Sequence, residues 1–247
     1  MKILTWNINH RIGKKKIPIE MADALASLSP DIIVLTEYVQ GPSHDRFLND
    51  LKSNGFSYRR LSEFKEQQNR IFIASRMLLK DGDIKAPTDI IEAVRCNALH
   101  VTIPQIDLNI LGLRMPLPMN AVQKKSWWDW VTDVAERNQG HPFIYLGDFN
   151  TDISTKGPNG WRQITKLKEN GWNHALPKDG ASWWMRRNGV IFANKLDHAF
   201  FSKKLSVRNA EYITESSGYI FVKKPGELKP KAMSDHAVLL VEFDVKP

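Results

Sequence analysis

The chain has 247 residues and carries 35 lysines and arginines against 27 aspartates and glutamates, a formal net charge of +8. With 42% hydrophobic and 25% charged residues, it is composed like a globular protein, which excludes disorder, collagen and coiled coil as the main state. No apolar run approaches the roughly 18 to 20 residues of a membrane span, and the N-terminus lacks a signal peptide's apolar segment. A single cysteine, Cys96, forms neither an internal disulfide nor a thiolate cage, so a reducing compartment, the cytoplasm, is expected. The positive excess favours a polyanionic partner, nucleic acid or an anionic surface.

Residues 2–8 alternate as a strand, and PIEMADALASLS places Ile19, Ala22, Leu25 and Leu28 at helical spacing between Pro18 and Pro30. DIIVLT at 31–36 is a compact apolar run of the kind buried on both faces, and 44–54 returns to helical spacing through Phe47, Leu48 and Leu51. From Phe56 the pattern becomes short strands, FSYRRL, RIFIAS, ALHVTI and DLNILGL, which read as an antiparallel meander. A helix is expected over 119–138, with Val122, Trp127, Trp130, Val131 and Val134, followed by an apolar strand at 143–147. Residues 159–171 read as helix, 195–202, 207–213 and 237–243 as strands, and 223–233 as loop. Without a repeat or a long linker, one domain over 1–247 is expected, with two sheets covered by helices.

Apolar strands that end in polar groups recur along the chain: Asn7 and Asn9, Glu37, Asp148 and Asn150, and Asp235 with His236 before AVLLVEF. Asp197 lies inside the apolar KLDHAFF. Any one alone is a strand-end cap; five together point to a shared site. Carboxylates and amides suit a hard cation such as Mg²⁺, with Mn²⁺ as a substitute, because such ions take oxygen ligands and need only one or two carboxylates. The absence of HExxH spacing disfavours zinc, and the absence of GxxxxGK[ST], GxGxxG and GxSxG sets aside nucleoside triphosphate turnover and serine-hydrolase chemistry. His198, next to Asp197 in a strand, points to the opposite face and reads as structural.

These pieces, TWNIN at 5–9, PDIIVLTE at 30–37, RIFIASR at 70–76, GDFN at 147–150, LDHAFFS at 196–202 and SDHAVL at 234–239, resemble the endonuclease/exonuclease/phosphatase superfamily, in that family's order. The resemblance implies an α+β fold: a four-layer αββα sandwich of two mixed β-sheets packed face to face and covered by helices, with the site at one edge. It implies Glu37 as the principal Mg²⁺ ligand, supported by Asn7 and Asp235. It further implies Asp148 and Asn150 as the pair acting on the attacking water, and His236 as a phosphate-facing histidine held by Asp197. The activity implied is metal-assisted hydrolysis of a phosphodiester, most simply by a DNA nuclease, endo- or exonucleolytic. A phosphatase or phosphodiesterase acting on a nucleotide, inositol phosphate or lipid is the alternative, and a silent binding protein the third reading.

Relatives commonly carry His or Tyr where this chain has Arg114, followed by an Asn for which Asn120 is the substitute to consider. Arginine stabilises a phosphate through its fork but stays protonated, so it is a poor general acid. ASWWMRRNG at 181–189 resembles the family's nucleotide-pocket segment, making Trp183 and Trp184 stacking candidates, one buried and one exposed, and Arg186 and Arg187 phosphate contacts. With Asn9, the basic run Lys14, Lys15 and Lys16 is a further substrate-binding candidate, as is 223–231. Trp127, Trp128 and Trp130 are expected to pack, and Cys96 to be buried. DNA as partner, no membrane and a monomer complete the expectations.

Overall fold

The computed structural model describes residues 1–9, 16–63, 68–88, 90–153, 161–228 and 231–246. Its first half contains β1 (Lys2–Asn7), α1 (Met21–Ser27), β2 (Ile32–Tyr38), α2 (His44–Ser53), β3 (Tyr58–Leu61), β4 (Arg70–Ser75) and β5 (Lys80–Asp81). There follow α3 (Glu92–Cys96), β6 (Ala98–Ile103), β7 (Leu108–Arg114), α4 (Ala121–Asn138), β8 (Phe143–Asp148), α5 (Trp161–Glu169) and β9 (Asn173–His174). The last part has β10 (Trp183–Arg187), β11 (Val190–Asn194), β12 (Asp197–Phe201), β13 (Leu205–Ile213), β14 (Glu215–Ser216), β15 (Tyr219–Ile220) and β16 (Val238–Val245).

Two six-stranded mixed sheets are ordered β13-β16-β1-β2-β4-β3 and β5-β6-β7-β8-β12-β9. Each contains one parallel pair, β1 with β2 and β7 with β8, joined through α1 and α4 respectively. Because side chains alternate across a strand, neighbouring residues enter different cores. Ile3, Ile32 and Val34 face the space between the sheets with Ile110, Ile144 and Leu146. Their neighbours Leu4, Ile33 and Leu35 pack outward with Leu25 and Phe47 of the first helical layer. Leu111, Leu113 and Tyr145 face Trp127, Val131 and Leu167 of the second. That is the αββα sandwich the motifs imply.

Local pattern misleads in four places. Ile19 lies outside α1 and is 76% exposed, and Val122 of α4 is 74% exposed, so neither belongs to its helix's buried stripe. The four strands expected between Phe56 and Arg114 are not one meander. β3 pairs with β4 in the first sheet and β6 with β7 in the second, because β4 and β6 must bury their apolar faces against each other. Residues 183–194, outside the strands expected from sequence, form an antiparallel ribbon of β10 and β11 turning at Asn188 and Gly189, both at positive φ. A fourth place is the degree of burial along α4: all three tryptophans pack as expected, Trp127 and Trp128 as a buried edge-to-face pair and Trp130, half-buried, against the same cluster.

Candidate active site

Topology explains why the strand-end polar groups meet. The carboxyl ends of β1, β2, β7 and β8 carry Asn7, Glu37, Arg114 and Asp148. β12 runs antiparallel to β8 and opens with Asp197 opposite Asp148, while β16, antiparallel to β1, is preceded by His236. One edge of the sandwich therefore receives six polar side chains from both sheets.

Local backbone aims them. Glu37 has φ 56° within a register shift between Leu35 and Tyr38, a left-handed conformation costly for a residue with a Cβ and common where function over-determines the backbone. Gly147, at φ 146°, lies so close to Leu113 that an added Cβ would meet its carbonyl oxygen at 1.8 Å, which brings the ends of β7 and β8 tightly together.

Asp148 is the hub. Its Oδ1 accepts the Asn150 backbone N–H at 2.9 Å, and its Oδ2 accepts Nδ2 of Asn7 at 2.9 Å and Nδ2 of Asn150 at 3.2 Å. Asn150 also donates to the Met115 carbonyl, and Asn7 Oδ1 accepts the Asn9 N–H at 2.9 Å. Burial first, and the Asp197 carboxylate second, push the Asp148 pKa up against the pull of His236 and Arg114.

His236 Nδ1 lies 2.7 Å from Asp197 Oδ2. Burial by itself would lower the pKa of this ring, but the Asp197 carboxylate, helped by Asp148 and Asp235, raises it to about 9. His236 is thus an imidazolium at neutral pH, with Nε2 its remaining polar atom. Three residues that sequence reasoning missed hold this pair. Ser182 Oγ accepts the Leu196 and Asp197 N–H groups, Ser234 Oγ donates to the Asn7 carbonyl and accepts the His236 N–H, and the Trp6 indole donates to the His236 carbonyl at 2.8 Å. Ser234 stands inside the SDHAVL run and Ser182, 15 residues before Asp197, inside ASWWMRRNG, so both were findable there, though neither run marks its serine as the residue that holds the pair.

Arg114 lies among the acids. Its Nη2 donates to Glu37 Oε1 at 2.5 Å, and its Nε is 3.8 Å from Asp148 Oδ2, buried and without a hydrogen bond. Asn120 does not stand in for the family's missing Asn, because it caps α4: Oδ1 accepts the Gln123 N–H and Gln123 returns the bond.

The remaining candidates lie around this edge. Asp235 is half-buried, with Oδ1 3.5 Å from Ser234 Oγ. Trp183 pairs with His236 at the root of the ribbon, and Lys224 Nζ lies 5.6 Å over the Trp184 ring. Both tryptophans are half-buried, so the expected split into one buried and one exposed fails, because a two-stranded ribbon gives neither face a full core. Arg186, Arg187 and Lys16 are exposed, while Lys14 and Lys15 lie outside the described residues. His198 points away from the site, its Nε2–H donating to the Thr151 carbonyl and its Nδ1 accepting from His174.

Among the described residues, no three His, Cys, Asp or Glu side chains form a metal cage. The donor set nevertheless fits a hard divalent ion. Among the described residues, the oxygen donors Glu37, Asp148 and Asp197 are paired with the cationic groups of Arg114 and His236, and Asp235 adds a further carboxylate beside His236, a hard-oxygen set richer in acids than in cations.

This strand-end arrangement on an αββα sandwich defines a class. The Endonuclease/Exonuclease/phosphatase family model matches residues 4–236, and the chain belongs to that family. It is similar in structure to the 3′ phosphatase NExo from Neisseria bound to product DNA hairpin, at 20% identity and TM-score 0.65 over 99% of each chain. It is also similar to an AP endonuclease from Archaeoglobus fulgidus, with 17% identity and TM-score 0.69 over 99% of this chain and 100% of that one. D. rerio TDP2 complexed with single strand DNA product has 14% identity and TM-score 0.67 over 99% of each chain. Among curated protein sequences none matches.

Proposed function

We propose that the protein is a divalent-metal-dependent phosphodiesterase, most simply a nuclease acting on DNA, with its whole chain serving as one catalytic domain. The observation that carries this reading is the buried Asp148 carboxylate, fixed by Asn7 and Asn150 and standing beside the His236–Asp197 pair. Glu37 would hold the cation, supported by Asn7 and Asp235, and the bound ion would polarise the phosphoryl group and offset its charge.

The chain's own residues do the rest. Asp148 acts as the base toward the attacking water, its raised pKa bringing it nearer working pH, and Asn150 fixes its orientation. His236 presents its imidazolium to a phosphate oxygen, and Asp197 sets the ring's charge and tautomer. Arg114 keeps a buried Nε–H free of hydrogen bonds, a donor available to an anion. The tryptophans of β10 with Asn9, Arg186, Arg187 and the run Lys14, Lys15 and Lys16 would bind the flanking substrate.

The DNA bound by the structurally similar NExo and TDP2 and the net charge of +8 support a nucleic-acid substrate. A second reading, a phosphatase on a small or terminal phosphoester, is supported by the likeness to the Neisseria 3′ phosphatase. No helix among the described residues is long and apolar enough to cross a membrane. A monomer acting in the cytoplasm, the compartment that suits a lone buried thiol, completes the proposal.

The test is cleavage of abasic duplex, intact duplex, single strand, RNA and small phosphoesters with Mg²⁺, Mn²⁺ or EDTA. DNA cleavage that requires the metal and vanishes in Glu37→Gln is expected. Near-wild-type activity of that variant would sink the metal assignment, and phosphate release from small esters alone would favour the second reading.

A further inference from the structure

Arg114 spans the two sheets at the site. It ends β7 in the second sheet, yet its guanidinium reaches Glu37 at the end of β2 in the first. Both side chains are largely buried, with 11% and 15% exposure. The backbone holds the arginine in place: its N–H donates to the Asn97 carbonyl, the Met115 N–H donates to the Asp148 carbonyl, and Arg114 lies in register with Asp148. The guanidinium is thereby fixed between Glu37 and Asp148, 2.5 Å from one carboxylate and 3.8 Å from the other.

We propose that Arg114 is a resident counter-ion of the metal-binding carboxylates, and that by holding Glu37 it sets how tightly the centre takes a divalent cation. This rests on the metal reading given above. A cation taken by Glu37 must share that carboxylate with the guanidinium and is repelled by its charge in a poorly screened setting. An arginine does not deprotonate at any working pH, so the competition persists where a neutral histidine or tyrosine would exert none. The same charge has an opposite effect on the protein without added metal. Removing it leaves two neighbouring buried carboxylates without their neutraliser, which destabilises the fold. Arg114 therefore trades metal affinity for independence from metal, and it acts on the cation through Glu37 as a positioning residue.

The experiment measures Mn²⁺ binding to the full chain by calorimetry, together with thermal unfolding in EDTA and in Mn²⁺, for wild type, Arg114→Gln, Arg114→Lys and Glu37→Gln. Arg114→Gln should bind Mn²⁺ at least about tenfold more tightly than wild type, the scale of removing one nearby like charge. It should also melt lower in EDTA and gain more from Mn²⁺. Arg114→Lys, which keeps the charge but loses the planar fork, should fall between the two. Should Arg114→Gln fail to fold in EDTA, the lysine variant carries the comparison. A folded Arg114→Gln, or failing that Arg114→Lys, that binds Mn²⁺ no more tightly than wild type would overturn the inference. Loss of Mn²⁺ binding in Glu37→Gln supports it by placing the cation on that carboxylate. Substrate cleavage by wild-type protein that binds no Mn²⁺ and works in EDTA would overturn the metal reading itself, a result distinct from equal affinities.

Discussion

Replacing Asp197 by asparagine keeps the shape of the side chain, and an acceptor for His236 Nδ1, while removing the charge that governs the ring. In the native protein that charge, 2.7 Å away, lifts the His236 pKa from 6.5 to about 9 against the lowering effect of burial. The lift corresponds to about 3 kcal/mol favouring the imidazolium, taken undiscounted because the pair is buried. Without it, burial, the largest single influence, pulls the ring down against Asp148 and Asp235 alone. For a ring returned to 6.5, the protonated fraction near pH 8 would fall from about nine-tenths to roughly three-hundredths, about 30-fold. The direct assay is an NMR titration of the His236 ring in both proteins, run beside the pH dependence of kcat. The wild-type rate should hold its plateau up to about pH 9, whereas the variant should decline at lower pH, by about two units for a ring returned to 6.5. Equal ring midpoints would refute the electrostatic assignment. A displaced midpoint with an unmoved rate profile would refute the catalytic use of the imidazolium.

Acid should destabilise the protein through a second histidine pair. Burial, first among the causes, lowers the His174 pKa to about 2 and also lowers that of His198. Both folded-state values lie below the unfolded 6.5, so no penalty exists above that pH and stability is lost as pH falls through it. At a pH one unit below the unfolded value the His174 ring costs about 1.4 kcal/mol, and His198 adds a cost of the same sign. His174→Gln keeps a donor for His198 Nδ1 and should remove the His174 share of that loss, about 1.4 kcal/mol at that pH, in thermal melts; an unchanged acid profile would refute the assignment. With a nucleic-acid substrate, replacing Arg186 and Arg187 together by glutamine should flatten the salt dependence of binding by about 0.9 log–log units per duplex phosphate released. An unchanged slope would make the ribbon's arginines ordinary surface.

Two sheets covered by helices were legible because apolar runs such as DIIVLT and FIYLG are of the kind buried on both faces, while the four-layer αββα order was implied by the motifs' resemblance to a known family. The acids and amides at strand ends were legible for a related reason, since a polar group that closes a buried strand needs a partner. The same resemblance marked Arg114 as a departure, because relatives carry a histidine or tyrosine there. What local pattern could not decide was pairing. Whether β4 and β6 belong to one sheet depends on which faces cover each other, and whether residues 183–194 form a ribbon depends on a short antiparallel register. Nor could spacing reveal that Arg114 reaches across 77 residues to Glu37, that Ser182 holds Asp197, or that Asn120 is spent on capping α4. Those contacts exist only once two sheets fold face to face and bring strand ends remote in the chain to a common edge. Each side chain's charge and hydrogen-bonding capacity came with the sequence, and tertiary packing decided which of these groups share a carboxylate.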